Sequence, residues 1–264
     1  MYVTNEYSLA MDYHENSKLL TVHQSFDPKP QYKIYPSAKA IPLTLHSQET
    51  PTRKDDTFLH TLLSRRSTRS FSPENVNLET LSSLLSLSFG FRYDTEDSSY
   101  PLRTYASAGG CYPIEVYPVI LRSDEMKKGI YHYNVYDNTL EYTKDNYYIE
   151  DICTFYSNQE EAVLTDYPCM ILFSMVFERT MQKYGERGYR FMLIDAGHMG
   201  QNLYLTATYL NLGIVALGAG SMSDNRLDDA LGLTRNQESA FYGFAVGHPL
   251  SPRGGSDMAA GGHK

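Results

Sequence analysis

The stretch Ile130-Tyr131-His132-Tyr133-Asn134-Val135-Tyr136-Asp137-Asn138-Thr139-Leu140-Glu141-Tyr142-Thr143 decides the fold class. β-Branched and aromatic residues fill both arms, and the dipeptide Asp137-Asn138 between them is turn-prone, so the stretch reads as a β-hairpin. Helical and strand signals alternate irregularly on either side of it. The chain therefore reads as α+β rather than as a regular βαβ series.

Upstream, Ser107-Ala108-Gly109-Gly110-Cys111-Tyr112-Pro113 is a small-residue loop that runs into a strand over 115–122. Such a loop leaves backbone N–H groups uncovered, where a flat ligand can lie. Downstream, Cys169-Met170-Ile171-Leu172-Phe173-Ser174-Met175-Val176-Phe177 is an apolar run expected of a central strand buried on both faces. The longest helical pattern covers 187–209, where Met192, Ala196, Met199, Leu203, Ala207 and Leu210 step by three and four. Gly197 and Gly200 beside that stripe would let another helix approach, and Gly213 stands where a helix C-cap wants glycine. A short strand over 214–217, a loop Gly218-Ala219-Gly220, a helix capped by Asp224 and a last strand over 240–246 complete the domain.

Two helices precede the glycine loop. The first carries Phe58, Leu59, Leu62 and Leu63 on one face, and the second starts at the N-cap Asn77 with Leu78, Leu81, Leu84, Leu85 and Leu87. Residues 1–55 read as an extended arm, since Pro28, Pro30, Pro36, Pro42 and Pro51 exclude a long helix. Residues 56–250 form the domain, and 251–264 read as a flexible tail.

A net charge of -8 over 264 residues argues against general nucleic-acid binding. The 3 cysteines lack CxxC spacing, and His14, His198 and His248 lack ligand spacing, so neither a disulfide framework nor a metal site is expected. No apolar run reaches membrane length and no signal peptide opens the chain, which implies a cytoplasmic protein without membrane contact. The 23 Tyr and absent Trp suit pocket walls and interfaces, because tyrosine combines an apolar ring with a polar tip.

Three stretches could carry chemistry. Arg65, Arg66 and Arg69 with Ser67 could grip a phosphate by charge-assisted hydrogen bonds, or could complement the dipole of the preceding helix. Two small-residue loops at strand ends, together with that cluster, suit a ligand with a flat ring and a phosphate, and neither is a GxGxxG loop. Lys183-Tyr184 lies amid Glu178, Arg179, Glu186, Arg187 and Arg190, either as a solvated charged turn or as a lysine tuned into a base. No GxSxG elbow is present, and Cys111 reads as a small loop residue rather than a nucleophile.

Arg65-Arg66-Ser67-Thr68-Arg69-Ser70-Phe71, the loop through Glu115, and Phe244-Ala245-Val246-Gly247-His248-Pro249 resemble the FMN-dependent nitroreductase superfamily. Lys183-Tyr184-Gly185-Glu186-Arg187-Gly188-Tyr189-Arg190, followed by Asp195-Ala196-Gly197-His198-Met199-Gly200-Gln201-Asn202-Leu203, is similar to the SagB-type dehydrogenases. These are azoline oxidases of thiazole- and oxazole-modified peptide biosynthesis, and Tyr13-His14-Glu15-Asn16-Ser17-Lys18 is similar to a segment near their N-termini. The resemblance spans residues 10–250.

It implies a nitroreductase-like α+β fold with a central, mainly antiparallel sheet, and an intertwined homodimer with FMN at the subunit interface. Arg65, Arg66, Ser67 and Arg69 would contact the phosphate, ribityl chain or pyrimidine edge of FMN. Ser107, Ala108, Gly109 and Gly110 would line the isoalloxazine, Leu217, Gly218 and Ala219 would approach it from the second loop, and Arg253 would add a phosphate contact. Lys183 and Tyr184 match the pair regarded as catalytic in the azole-forming members. The substrate would be an azoline-containing precursor peptide, with a cyclodehydratase complex as partner and leader recognition left to that partner. The superfamily also implies alternatives: an NAD(P)H-dependent reductase of nitro, quinone or dehydroamino-acid substrates, or a flavin-binding scaffold subunit. Gly220 and Cys111 depart from the usual bulky residue and leucine at their positions.

Overall fold

The computed structural model describes residues 32–44, 58–92, 102–156, 167–217, 224–234 and 236–250. Seven strands form one sheet: β1 Ala40–Pro42, β2 Ile114–Ile120, β3 Gly129–Asn134, β4 Thr139–Lys144, β5 Cys169–Val176, β6 Gly213–Leu217 and β7 Glu238–Gly247. Their order is β1-β4-β3-β2-β5-β7-β6, and every neighbouring pair is antiparallel. The hairpin is β3–β4, with Asn138 in the left-handed region at φ 50°. Asparagine tolerates that region because its short polar side chain can hydrogen-bond locally, and here Asn138 accepts from Tyr133 Oη at 2.8 Å.

The helices are α1 Phe58–Ser64, α2 Leu78–Phe89, α3 Ile149–Tyr156, α4 Phe177–Tyr184, α5 Arg187–Tyr209 and α6 Asp224–Leu231. Asn77 caps α2 by accepting from the Thr80 amide at 2.8 Å. Side chains alternate across each strand, so both faces of β5 are apolar. Cys169, Ile171, Phe173 and Met175 meet a core built from α2 and α5, while Met170 and Leu172 meet one built from α3 and α6. The expectation of a strand buried on both faces is met, in an antiparallel sheet.

Three local readings change. The left-handed residue that ends α5 is Asn211 (φ 58°), not Gly213. The amide of Leu212 bonds to Ala207 O at 2.8 Å and that of Asn211 to Thr208 O at 3.2 Å, a Schellman motif. Gly213 instead opens β6, and a Cβ there would stand 2.7 Å from Thr68 Cγ2, so glycine lets the 65–72 segment run alongside. Gly200 faces Phe244 of the sheet rather than a helix, and Gly197 has open space around it. Part of the arm reading also changes: Ala40–Pro42 pairs with β4 as an edge strand, where proline is tolerated. The Tyr13–Lys18 segment lies outside the described residues. Among the described residues, no helix is long and apolar enough to cross a membrane.

Candidate active site

Helix α5 organises the site. Buried Asp195 accepts from Ser107 Oγ at 2.5 Å and from the Ala108 amide at 3.1 Å. His198 Nδ1 lies 3.0 Å from Ala106 O, and Asn202 Nδ2 donates to Thr104 O at 3.1 Å. Positions 195, 198 and 202 share a helix face, so one face staples residues 104–108 in register. Burial pushes the Asp195 carboxyl up, against the opposing pull of its hydrogen bonds from Ser107 and Ala108. The sequence reading placed Asp195 and Asn202 in a motif without giving them a role, and found in His198 only a lack of ligand spacing. A polar residue at every third or fourth position of an otherwise apolar helix was the available signal.

The loop is less open than its composition implied. Its Ala108, Gly110, Cys111 and Tyr112 amides are bonded to Asp195, Ser107 O, Ala108 O and Ser107 Oγ. What the glycines provide is shape. Gly109 adopts φ 60°, and a Cβ there would collide with Tyr184 Oη and stand 2.5 Å from Lys183 Nζ. Lys183 Nζ donates to Gly109 O at 3.3 Å. The Lys183-Tyr184 pair therefore sits on the middle of the loop, at the end of α4, and not in a free turn. Tyr184 is fixed edge-on against Phe191 of α5, with ring centroids 4.8 Å apart. Sequence reading missed α4 because it follows β5 without a linker and carries few apolar residues.

A second group of expected residues meets at Tyr204, nine residues further along α5, or roughly 13 Å along its axis. Tyr204 Oη accepts from the Ala216 amide at 2.8 Å and lies 3.2 Å from Ser67 Oγ, while the Arg65 guanidinium covers the ring at 5.3 Å. The 65–72 segment is further tied to the sheet by Thr68 N–Ile214 O at 2.8 Å and Ser72 N–His248 O at 2.8 Å. None of the three arginines lies in the last turn of α1, and Arg65 follows its last residue, Ser64, directly. Arg66, Ser67 and Arg69 are exposed, and Leu217 is half-buried at the end of β6. Gly218, Ala219 and Arg253 lie outside the described residues.

Cys111, Cys153 and Cys169 are all free thiols, and burial raises each. Among the described residues no cluster of His, Cys, Asp and Glu could hold a metal ion.

The nitroreductase family profile matches residues 62–248. The chain belongs to the nitroreductase family, whose class is that of flavoprotein oxidoreductases. A Methanocaldococcus jannaschii protein assigned to the nitroreductases is 29% identical over 170 residues, covering 64% of this chain and 81% of that one. The microcin B17-processing protein McbC of Escherichia coli is 27% identical over 141 residues, covering 52% of this chain and 50% of McbC. Among solved structures, a nitroreductase-like protein of Anabaena variabilis superposes with a TM-score of 0.67 at 23% identity, over 94% of this chain and 48% of that one. The E. coli microcin synthetase McbBCD complex with truncated pro-MccB17 gives 0.62 at 19% identity, over 92% of this chain and 93% of the matched chain. The match thus spans about half of McbC and of the Anabaena chain.

Proposed function

We propose that the protein is an FMN-dependent dehydrogenase that oxidises thiazoline or oxazoline rings in a precursor peptide to thiazoles or oxazoles. The observation that carries the reading is the convergence of Lys183 Nζ and Tyr184 Oη on Gly109. An amine and a phenol side by side on a small-residue loop form a proton-accepting pair beside a surface that a planar group can approach. The similarity to McbC adds support, since McbC is by name a peptide-processing protein.

The residues present fit FMN. Exposed Arg66, Ser67 and Arg69 supply charge and a hydroxyl for a phosphate, while the strapped 107–110 loop offers a flat wall. On this reading Arg65 works through its contact with Tyr204 and Leu217 approaches from the end of β6, while Gly218 and Ala219 keep the ring-side role and Arg253 the phosphate contact that the resemblance implies. Bound FMN would supply acceptance of a hydride from the substrate ring. Lys183 accepts the proton from the former Cα of the azoline, and Tyr184 orients the ring by hydrogen bonding. The Asp195 staple keeps the loop from moving as the substrate enters.

The site is completed by a second copy of the chain. Phe58, Leu59, Leu62 and Leu63 of α1, with Leu193 and Ile194 of α5, are exposed apolar side chains that no described residue covers. A cyclodehydratase that prepares the azoline is the natural further partner.

Lys183→Ala tests the reading. The variant is expected to retain FMN by its visible absorbance and to lose azole formation by at least about 100-fold, the usual share of a general base. Turnover should proceed without NAD(P)H. Strict NAD(P)H dependence would instead favour the reductase reading, which the similarity to the M. jannaschii protein supports. Unimpaired product formation by Lys183→Ala would leave a flavin-binding scaffold role.

A further inference from the structure

We propose that Arg179 is the positioning residue of this site: anchored from behind by a Glu115–His132–Glu141 relay, it sets the helix carrying Lys183 and Tyr184 against Gly109. Helix α4 has eight residues, of which Arg179 and Thr180 are buried. So short a helix does not hold itself in place, and its position comes from tertiary contacts. Arg179 Nη1 is 2.5 Å from Glu115 Oε1 and donates to Tyr112 O at 3.1 Å. Lys183 follows Arg179 by one turn on the same side of the helix.

The guanidinium thereby joins α4 to the residue that closes the glycine loop. Tyr112 is itself constrained, at φ 46°, a region bulky residues seldom occupy. Its amide donates to Ser107 Oγ at 2.9 Å, and its hydroxyl accepts from the Arg103 amide at 3.1 Å. Loop and helix therefore share one clamp.

Glu115 is held from the other side. Its Oε2 is 2.8 Å from His132 Nε2, and His132 Nδ1 is 3.0 Å from Glu141 Oε2. Glu141 accepts from Asn134 Nδ2 at 3.0 Å and from the Tyr35 amide at 3.0 Å. Both imidazole nitrogens face carboxylates, so His132 is an imidazolium with two donors. The two carboxylates face Arg179 and His132, the buried Arg103 adds a further positive charge acting on Glu115, and all five side chains are buried. Removing one of them strands a charge in the interior. The relay runs from Tyr35 in the N-terminal segment, across β4, β3 and β2, to α4. None of its members reaches the lysine directly, so its role is placement.

The inference rests on Lys183 as the reactive amine, but its test is independent of catalysis. Trace acetylation with acetic anhydride, read by mass spectrometry as the ratio of Lys183 to exposed Lys39, reports where the amine sits. It is applied with saturating FMN to the wild type, to Arg179→Lys, and to Arg179→Met combined with Glu115→Gln. Lysine keeps the charge but cannot span Glu115 and the Tyr112 carbonyl as a planar fork does. The double variant removes both charges together, a change that buried pairs tolerate better than loss of one.

The expected result is a folded protein by circular dichroism whose Lys183 to Lys39 ratio rises several-fold in the double variant and by less in Arg179→Lys. A role in general stability would shift the melting temperature and leave that ratio alone. An unchanged ratio in either folded variant overturns the proposal. So does loss of fold in both, since Arg179 would then be supporting the sheet. If Lys183→Ala proves fully active while these ratios still move, the catalytic reading fails and the positioning survives.

Discussion

His132 shows how much a single buried residue can ask of its neighbours. Burial alone would lower its pKa, but the hydrogen bonds it donates to Glu115 and Glu141 more than offset this and hold it above the ordinary 6.5. The folded protein then binds that proton more tightly than the unfolded chain. Its stabilisation is complete below about pH 6.5 and is lost as pH rises through the folded value. Glu115 behaves in the opposite sense. Burial would raise it, yet Arg179 and His132 hold it well below 4.5, so its contribution is present above that pH and lost in acid. Urea unfolding from about pH 2 to pH 9 should therefore give a dome, with the acid limb set by Glu115 and the alkaline limb by His132. His132→Gln is expected to cost about 3–5 kcal/mol near pH 6.5 by stranding buried carboxylate, and to remove the alkaline decline. An undiminished alkaline slope in that variant would assign the titration to another group. None of this was legible from the hairpin, where His132 and Glu141 read only as alternating strand residues. Their partners come from distant segments, whereas Lys183 and Gly109 stood out locally and their meeting awaited the fold.

At the level of elements, the sequence announced what local chemistry controls. Helix α5 was expected over 187–209 and spans Arg187–Tyr209, because its apolar stripe is long and regular. Strand β5 was equally plain. Helices α3 and α4 escaped notice because they are short and hold their place through contacts with other elements. The C-terminus of α5 was assigned to the wrong residue for an instructive reason. Both Asn211 and Gly213 can occupy the left-handed region, and glycine is the more common choice. Gly213 was claimed instead by steric need, since Thr68 passes where its Cβ would be. The cap thus fell to asparagine, which pays a backbone penalty that glycine would not. Asn211→Gly is expected to raise stability by up to about 1 kcal/mol, seen as a higher thermal midpoint with unchanged circular dichroism. Gly213→Ala should lower it, by forcing Thr68 away from β6.

For the whole molecule, the apolar face of α1 and α5 calls for a covering surface. The sequence displayed Phe58, Leu59, Leu62 and Leu63 as an amphipathic helix face, and such a pattern says that a face will be covered without saying by which chain. Among the described residues it is uncovered: Phe58 is 71% and Leu63 77% exposed. Gly197 belongs to the same exposed side of α5 as Leu193 and Ile194 and has nothing within 4 Å of a built Cβ. A mid-helix glycine in open water costs about 1 kcal/mol relative to alanine, a cost that no contact among the described residues offsets. Close approach by a helix of a second copy would offset it, and would also give this face its cover. The sign of Gly197→Ala therefore separates the two cases. If the protein works as a monomer, the variant should melt higher, independently of protein concentration. If two copies pack here, the added methyl should hold the helices apart, and the melting temperature should fall most steeply in dilute solution. Leu193→Glu should then give a monomer by analytical ultracentrifugation, with weakened flavin binding if the cofactor site spans both copies.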